Sequence, residues 1–345
     1  MTTPCLLLDR ARMLRNIGRL KERMRGLGVV LRPHLKTCKN VEIARLMMAS
    51  DSGPATVSTL SEAEAFAAAG VRDITYAVGI APAKLDRIRG MRREGVDITV
   101  ILDSVEQARA CGDVPALIEI DSDGHRAGVR PVERGRLLEI AAALGPELLR
   151  GVLTHAGGSY HAHGAEALAD AAEAERKAAV EAVGVLRDAG FAAPVVSVGS
   201  TPTAHFARDL SGVTEVRAGV YVFFDVMMAE LGVCGYEDIA ISVLATVVGQ
   251  QRERGVSFID AGWMALSRDL GFGHSGYGLV CDADGKRLDD CRVVECSQEH
   301  GVVNRMLPLG TQIRILPNHA CATAAQFACY QTPEGSLPRV ATGVW

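Results

Sequence analysis

The chain has 345 residues, 48% of them hydrophobic and 23% charged, which is enough for a large core and suits one big domain with a smaller companion. A net charge of -4 and a pI near 6.2 leave no basic excess, which argues against nucleic acid or an acidic membrane surface as partner. The opening MTTPCLLLDRARMLRNI holds an apolar run too short for a signal-peptide core, no later run is long enough to span a bilayer, and nine scattered cysteines without CxxC spacing fit reduced thiols, so a cytoplasmic protein is expected.

Residues 5–8 are a short apolar run that can add a strand to a later β domain. The stretch 29–37, VVLRPHLKT, reads as a strand ending on Lys36. Extended, it would set Arg32, His34 and Lys36 on one face and Leu31, Pro33 and Leu35 on the other. A lysine at such a strand end, partly desolvated and beside other cations, has its pKa lowered and keeps free amine for Schiff-base chemistry. Taken alone, a lysine so placed is more commonly a solvated strand cap.

Short β-branched runs then recur at 55–60, 73–79, 97–104, 116–122, 149–156, 195–201 and 215–221, which with the lysine strand makes eight. The segments between them, such as 61–69, 83–94 and 164–189, have the Ala/Leu/Glu/Arg composition of amphipathic helices. Eight strands alternating with helices predict a (β/α)8, TIM-like barrel, and no GxGxxG follows the first strand to favour a doubly wound sheet. In a barrel the chemistry sits at the carboxyl ends of the strands, and these are polar here: Lys36-Thr37, Ser58-Thr59, DSDGHR at 121–126, THAGGSY at 154–160, Gly199-Ser200-Thr201 and RAGVY at 217–221. Small residues with available N–H groups at the ends of strands seven and eight are where barrels commonly hold a phosphate. Beyond Gly232, residues 239–248, 256–259, 278–281, 291–296 and 312–316 are strand-like with little helical periodicity between them. The expected organisation is an α/β barrel over 9–235 and a mainly β C-terminal domain over 236–345 joined by residues 1–8.

The motifs RPHLKT, VSTLSEAE, DGHRAG, LTHAGGSY, VSVGSTPTA, EVRAGVYVFFD, DAGWMALSRD, QEHG and PNHACAT together resemble the D-serine dehydratase and D-threonine aldolase family of fold-type III pyridoxal-phosphate enzymes, which share the alanine racemase-like architecture. The resemblance runs from about Thr3 to the last residues. It implies that Lys36 is the Schiff-base lysine and that Ser200, Thr201, Gly219, Val220 and Tyr221 hold the cofactor phosphate, with Arg126 and Tyr160 near the pyridine ring. It leaves the role of His155 open. It further implies a metal held by His319 and Cys321, and a homodimer.

Read without the resemblance, an isolated HxC is more commonly a buried histidine beside a packed cysteine, but the pair also has a metal reading. On an extended backbone His319 and Cys321 would point the same way, and nitrogen plus thiolate suits Zn2+ better than Mg2+, with Mn2+ or another divalent ion as the alternative. In related aldolases an aspartate tends to take the cysteine position, so Cys321 favours the dehydratase branch. The expected activity is a carbon-oxygen lyase that converts a D-3-hydroxy amino acid, D-threo-3-hydroxyaspartate or D-serine, to a 2-oxo acid and ammonia. The alternatives are an aldolase giving glycine and an aldehyde, and a non-catalytic pyridoxal-phosphate-binding protein. Arg268 is one candidate for a substrate carboxylate, while Asp260 and His300 lie in matched motifs without assigned chemistry.

Overall fold

The computed structural model describes residues 1–272 and 276–342. The chain divides into two compact units, one formed by Gly18–Gly219 and the other by Met1–Ile17 with Val220–Thr342.

The first unit is built on eight parallel strands: Val30–Leu31, Ala55–Val57, Asp73–Gly79, Asp97–Leu102, Ala116–Ile120, Leu149–Thr154, Val195–Val198 and Glu215–Val216. Each pairs with the next from the second onward, and the last returns to the first through Val30↔Glu215 and Leu31↔Val216. A parallel bridge between His34 and Thr56 closes the ring. The strands read as nearly unbroken apolar runs because both faces are covered. Ile101, Leu117 and Leu153, each 2% exposed, form a core cluster backed by Val195, on the strand face that also carries Glu119 and Ser197.

Helices fill the intervals between most of the strands, among them Leu60–Ala68, Leu85–Arg93, Arg134–Leu144 and Ala165–Asp188. Several start where a side chain satisfies an orphan N–H: Asn40, Thr59, Ser104 and Ser200 each accept from the backbone three residues on.

The lysine strand departs from its expected form only at its end. Ladder bonds to the last strand continue past Leu31, with the Arg32 N–H donating to the Val216 carbonyl at 2.9 Å and the His34 N–H to the Ala218 carbonyl at 2.8 Å, and Lys36 sits in the turn that follows. Arg32 and His34 thus share a face of the strand as expected, and Lys36 alone lies beyond it, in the turn. The Arg32 guanidinium binds Asp73 at 2.6 Å and Glu215 at 2.7 Å, carboxylates on the first residues of their strands. His34 instead meets Ser58 just past the carboxyl end of the second strand, at 3.2 Å.

The second unit is a nine-stranded sheet. Cys5–Leu8 joins it as expected, antiparallel to Ile241–Gln251 and parallel to Cys329–Thr332. The expected strands at 256–259, 278–281, 291–296 and 312–316 appear as Val256–Ile259, Leu279–Cys281, Arg287–Cys296 and Gln312–Leu316. Gly301–Val303, Cys329–Thr332 and Gly335–Pro338 were not foreseen, because runs of three or four residues carry too little periodicity to register. Asp260 belongs to this framework: it accepts from the Thr246 N–H at 2.7 Å and from the Thr3 hydroxyl at 2.5 Å, tying the amino terminus to the sheet. Among the described residues no helix is long and apolar enough to cross a membrane.

Candidate active site

At the carboxyl ends of the barrel strands the fold gathers several of the expected groups. Lys36 is exposed in the turn after the first strand, and its backbone N–H points to His34 Nδ1 at 3.4 Å. That assigns Nδ1 as acceptor and leaves Nε2–H to donate to the Ser58 hydroxyl. Burial, followed by the charges of Lys36 and Arg217, holds His34 well below its ordinary value, so the ring is neutral.

His155 lies on the other side of the same wall. Its Nδ1 meets the Gly199 carbonyl at 3.1 Å and must donate there, which leaves Nε2 as an acceptor. Burial outweighs that hydrogen bond, and with Arg217, Arg126 and Lys36 nearby the imidazole is brought down to about 3. The Tyr160 ring lies 6.2 Å from the His155 ring, and Arg126, though exposed, stands against Gly157. His161 and His163 are exposed, His161 stacked on His125, as a polar loop would leave them.

Below these groups the barrel interior is polar. Arg217, 4% exposed, donates to Ser197 Oγ and to the Thr154 carbonyl, and Ser197 donates in turn to Glu215. Glu119 belongs to the same interior. Burial and the Asp103 carboxylate outweigh Arg217 and Arg126 and push Glu119 up to about 7.

The expected phosphate cradle is a turn followed by a short helix. Gly199 has φ +122, and a Cβ there would lie 2.6 Å from the Arg217 carbonyl, so only glycine fits. Ser200 caps the helix Thr201–Phe206 in a reciprocal box with Thr203, and its hydroxyl also meets Ser159 at 2.9 Å. Its side chain is thus committed within the protein. Thr201 is different: it is 1% exposed and its hydroxyl has no partner. A buried, unsatisfied hydroxyl at a turn closed to side chains by Gly199 fits a phosphate oxygen. Gly219 is closely packed too, since a Cβ would stand 3.0 Å from the His34 carbonyl. Val220 and Tyr221 follow it directly in a 3-10 turn, both buried, and open the second unit.

The expected metal pair lies in the second unit. His319 and Cys321 are not on an extended segment. His319 is the extended cap of the helix Ala320–Ala325, and Cys321 stands in its first turn. The helix starts there because Asp225, 2% exposed, accepts the Ala320 N–H at 2.8 Å while capping Val226–Glu230 with its other oxygen. The two side chains still meet, the Cys321 thiol hydrogen-bonding His319. Asp269 takes His319 Nδ1 at 2.7 Å, fixing the tautomer and leaving Nε2. Asn318 anchors that loop by donating to the carbonyls of Asp269 and Gly276. Burial pulls the imidazole down, but Cys321, Asp225 and Asp269 together push it up to about 10. A thiol and two carboxylates around one imidazole favour positive charge, whether proton or metal. Among the described residues no group of three or more His, Cys, Asp or Glu side chains converges as a metal cage.

Sequence reasoning did not single out Asp225, Asp269, Glu119 or Glu175. Asp269 closes the DAGWMALSRD motif, a signal that could have found it. Arg268 is exposed and stacks over the Trp263 ring at 4.4 Å. His300 is exposed.

The family profile of the alanine racemase N-terminal domain matches residues 8–226, and that of a serine dehydratase domain matches residues 240–332. D-threo-3-hydroxyaspartate dehydratase from Delftia sp. is 49% identical, over 96% of this chain and 94% of its own. A 3-hydroxy-D-aspartate aldolase from Paracoccus denitrificans is 30% identical over 93% of this chain and 86% of its own. Among solved structures, a cysteine-to-alanine variant of D-threo-3-hydroxyaspartate dehydratase in its metal-free form superposes with a TM-score of 0.95 at 47% identity, covering 99% of this chain and 98% of that one.

Proposed function

We propose that this chain, which belongs to the D-serine dehydratase and D-threonine aldolase family of alanine racemase-fold, pyridoxal-phosphate-dependent lyases, is a dehydratase that converts a D-3-hydroxy amino acid to a 2-oxo acid and ammonia. The observation that carries the reading is identity of 49% along 96% of the chain to a dehydratase of that substrate class. The His319–Cys321 pair agrees with it.

Pyridoxal phosphate, when bound, supplies the electron sink that makes the substrate Cα proton removable. Lys36 is the residue that would hold it, and the Lys36 amine is the base that takes the Cα proton onto Nζ. Thr201 would donate its hydroxyl to the phosphate, assisted by the backbone around Ser200, Gly219 and Val220 and by Tyr221. Arg126 and Tyr160 belong near the ring. His155, neutral at working pH and fixed by Gly199, offers Nε2 as an acceptor and adds no positive charge to the wall.

The departing hydroxide is the obstacle at neutral pH. Zn2+ on His319 Nε2 and Cys321 Sγ would supply Lewis acidity at that oxygen. Asp269 and Asp225 hold the pair in place for it.

The same reading takes D-threo-3-hydroxyaspartate or D-serine as substrate, a homodimer as the working form and the cytoplasm as its place. The experiment is a coupled assay on D- and L-3-hydroxy amino acids. Ammonia and 2-oxo acid in equal amounts from the D-isomer alone support the proposal, and glycine with an aldehyde would move the chain to the aldolase branch.

A further inference from the structure

We propose that Glu175 is a positioning residue for the phosphate end of the cofactor site, clamping from behind the two strand-end segments that carry His155 and Thr201. The inference rests on the reading that the phosphate is held at Gly199–Thr201.

Glu175 sits on the outer helix Ala165–Asp188 and is only 2% exposed. That helix presents Ala172, Ala178, Ala179 and Ala182 to the barrel, and small side chains let its backbone approach the strands closely. A carboxylate in such a face is costly to bury unless donors surround it. Here one oxygen, Oε1, accepts the Ala156 N–H at 2.9 Å and the Gly199 N–H at 3.0 Å. The Thr203 hydroxyl also hydrogen-bonds the carboxylate.

Each of these donors belongs to the site's framework. Ala156 follows His155, Gly199 precedes Ser200, and Thr203 is the other member of the Ser200 cap. The two segments are also joined on the far side by His155 Nδ1 to the Gly199 carbonyl, and by Ser159 to Ser200 at 2.9 Å. Glu175 thus fixes the backbone on both flanks of the turn that presents the unpartnered Thr201 hydroxyl. Without it, two buried N–H groups lose their acceptor and the turn is free to shift.

The test compares two ligands that differ only in the phosphate. Apo-protein is titrated with pyridoxal phosphate and with pyridoxal, and the ratio of the two affinities is measured. Glu175→Leu should lower affinity for pyridoxal phosphate at least tenfold while pyridoxal binding changes less than twofold. Glu175→Gln, which keeps a carbonyl oxygen for both N–H groups, should restore most of the wild-type ratio. If the leucine variant does not fold, Glu175→Asp, one methylene too short to reach, should still reduce the ratio at least threefold.

An equal loss for both ligands would mean that Glu175 only supports the fold, and an unchanged ratio would likewise overturn the proposal. Thr201→Val separates the two levels of the argument. A ratio that falls with Thr201→Val but not with the Glu175 variants overturns the positioning role alone. A ratio that none of the variants moves overturns the cradle as well.

Discussion

Replacing Thr201 by valine should move apo-protein stability and cofactor affinity in opposite directions. The Thr201 hydroxyl is buried at 1% exposure without a partner, so the apo-protein carries the desolvation cost of an unsatisfied group, about 1–3 kcal/mol. Valine fills nearly the same space without that cost and should stabilise the apo-protein by on the order of 1 kcal/mol, or about 1–2 °C in Tm for a chain of this length. Cofactor binding loses a hydrogen bond to a charged group, roughly 1.5–3 kcal/mol, which is about a ten- to hundredfold weaker Kd. Scanning calorimetry of the apo-protein and fluorescence titration with pyridoxal phosphate read the two effects separately. An apo-protein destabilised by the substitution, or a cofactor affinity that does not change, would remove Thr201 from the cradle.

Lys36→Ala should abolish both turnover and the visible absorbance of a covalently held cofactor, while noncovalent phosphate binding persists; a surviving visible band would assign the linkage to another lysine. Cys321→Ala should lose zinc, measured by metal analysis of the purified protein, and keep the cofactor's colour. In deuterated solvent that variant should still exchange the substrate Cα proton while elimination falls much further, and an equal fall in both would show that the metal also positions substrate for deprotonation. Glu119 gives a pH signature. Its carboxyl stands at about 7 in the folded chain against an ordinary 4.5, so the folded state binds the proton more tightly, and stability is highest below pH 4.5 and declines as pH rises through 7, by roughly 3 kcal/mol. Glu119→Gln should flatten that slope in urea titrations of the apo-protein at pH 5 and pH 7.5; an unchanged slope would place the titrating group elsewhere.

The barrel was legible because parallel strands buried on both faces leave long β-branched runs, and all eight lie within the predicted stretches. The first was overextended at its end: periodicity in VVLRPHLKT suggests one strand through Lys36, but the ladder stops after His34 and the chain turns, while Arg32 on the same face pairs with Asp73 and Glu215. The HxC pair was recognised for a plausible chemistry on the wrong backbone. Adjacent side chains meet at a strand-to-helix junction because Asp225, nearly a hundred residues earlier, accepts the Ala320 N–H. Glu175 was invisible for a related reason. In an Ala/Glu/Arg-rich helix it looks like any solvated acidic residue, and only the tertiary fold shows that it is buried against Ala156 and Gly199. Long-range hydrogen bonds of this kind leave no local periodic trace.

The most direct measurement is a product analysis by carbon NMR with labelled D-threo-3-hydroxyaspartate and the zinc- and cofactor-loaded protein. Elimination predicts oxaloacetate with one ammonia per substrate consumed and no glycine. Glycine and glyoxylate in place of that pair would contradict the dehydratase assignment.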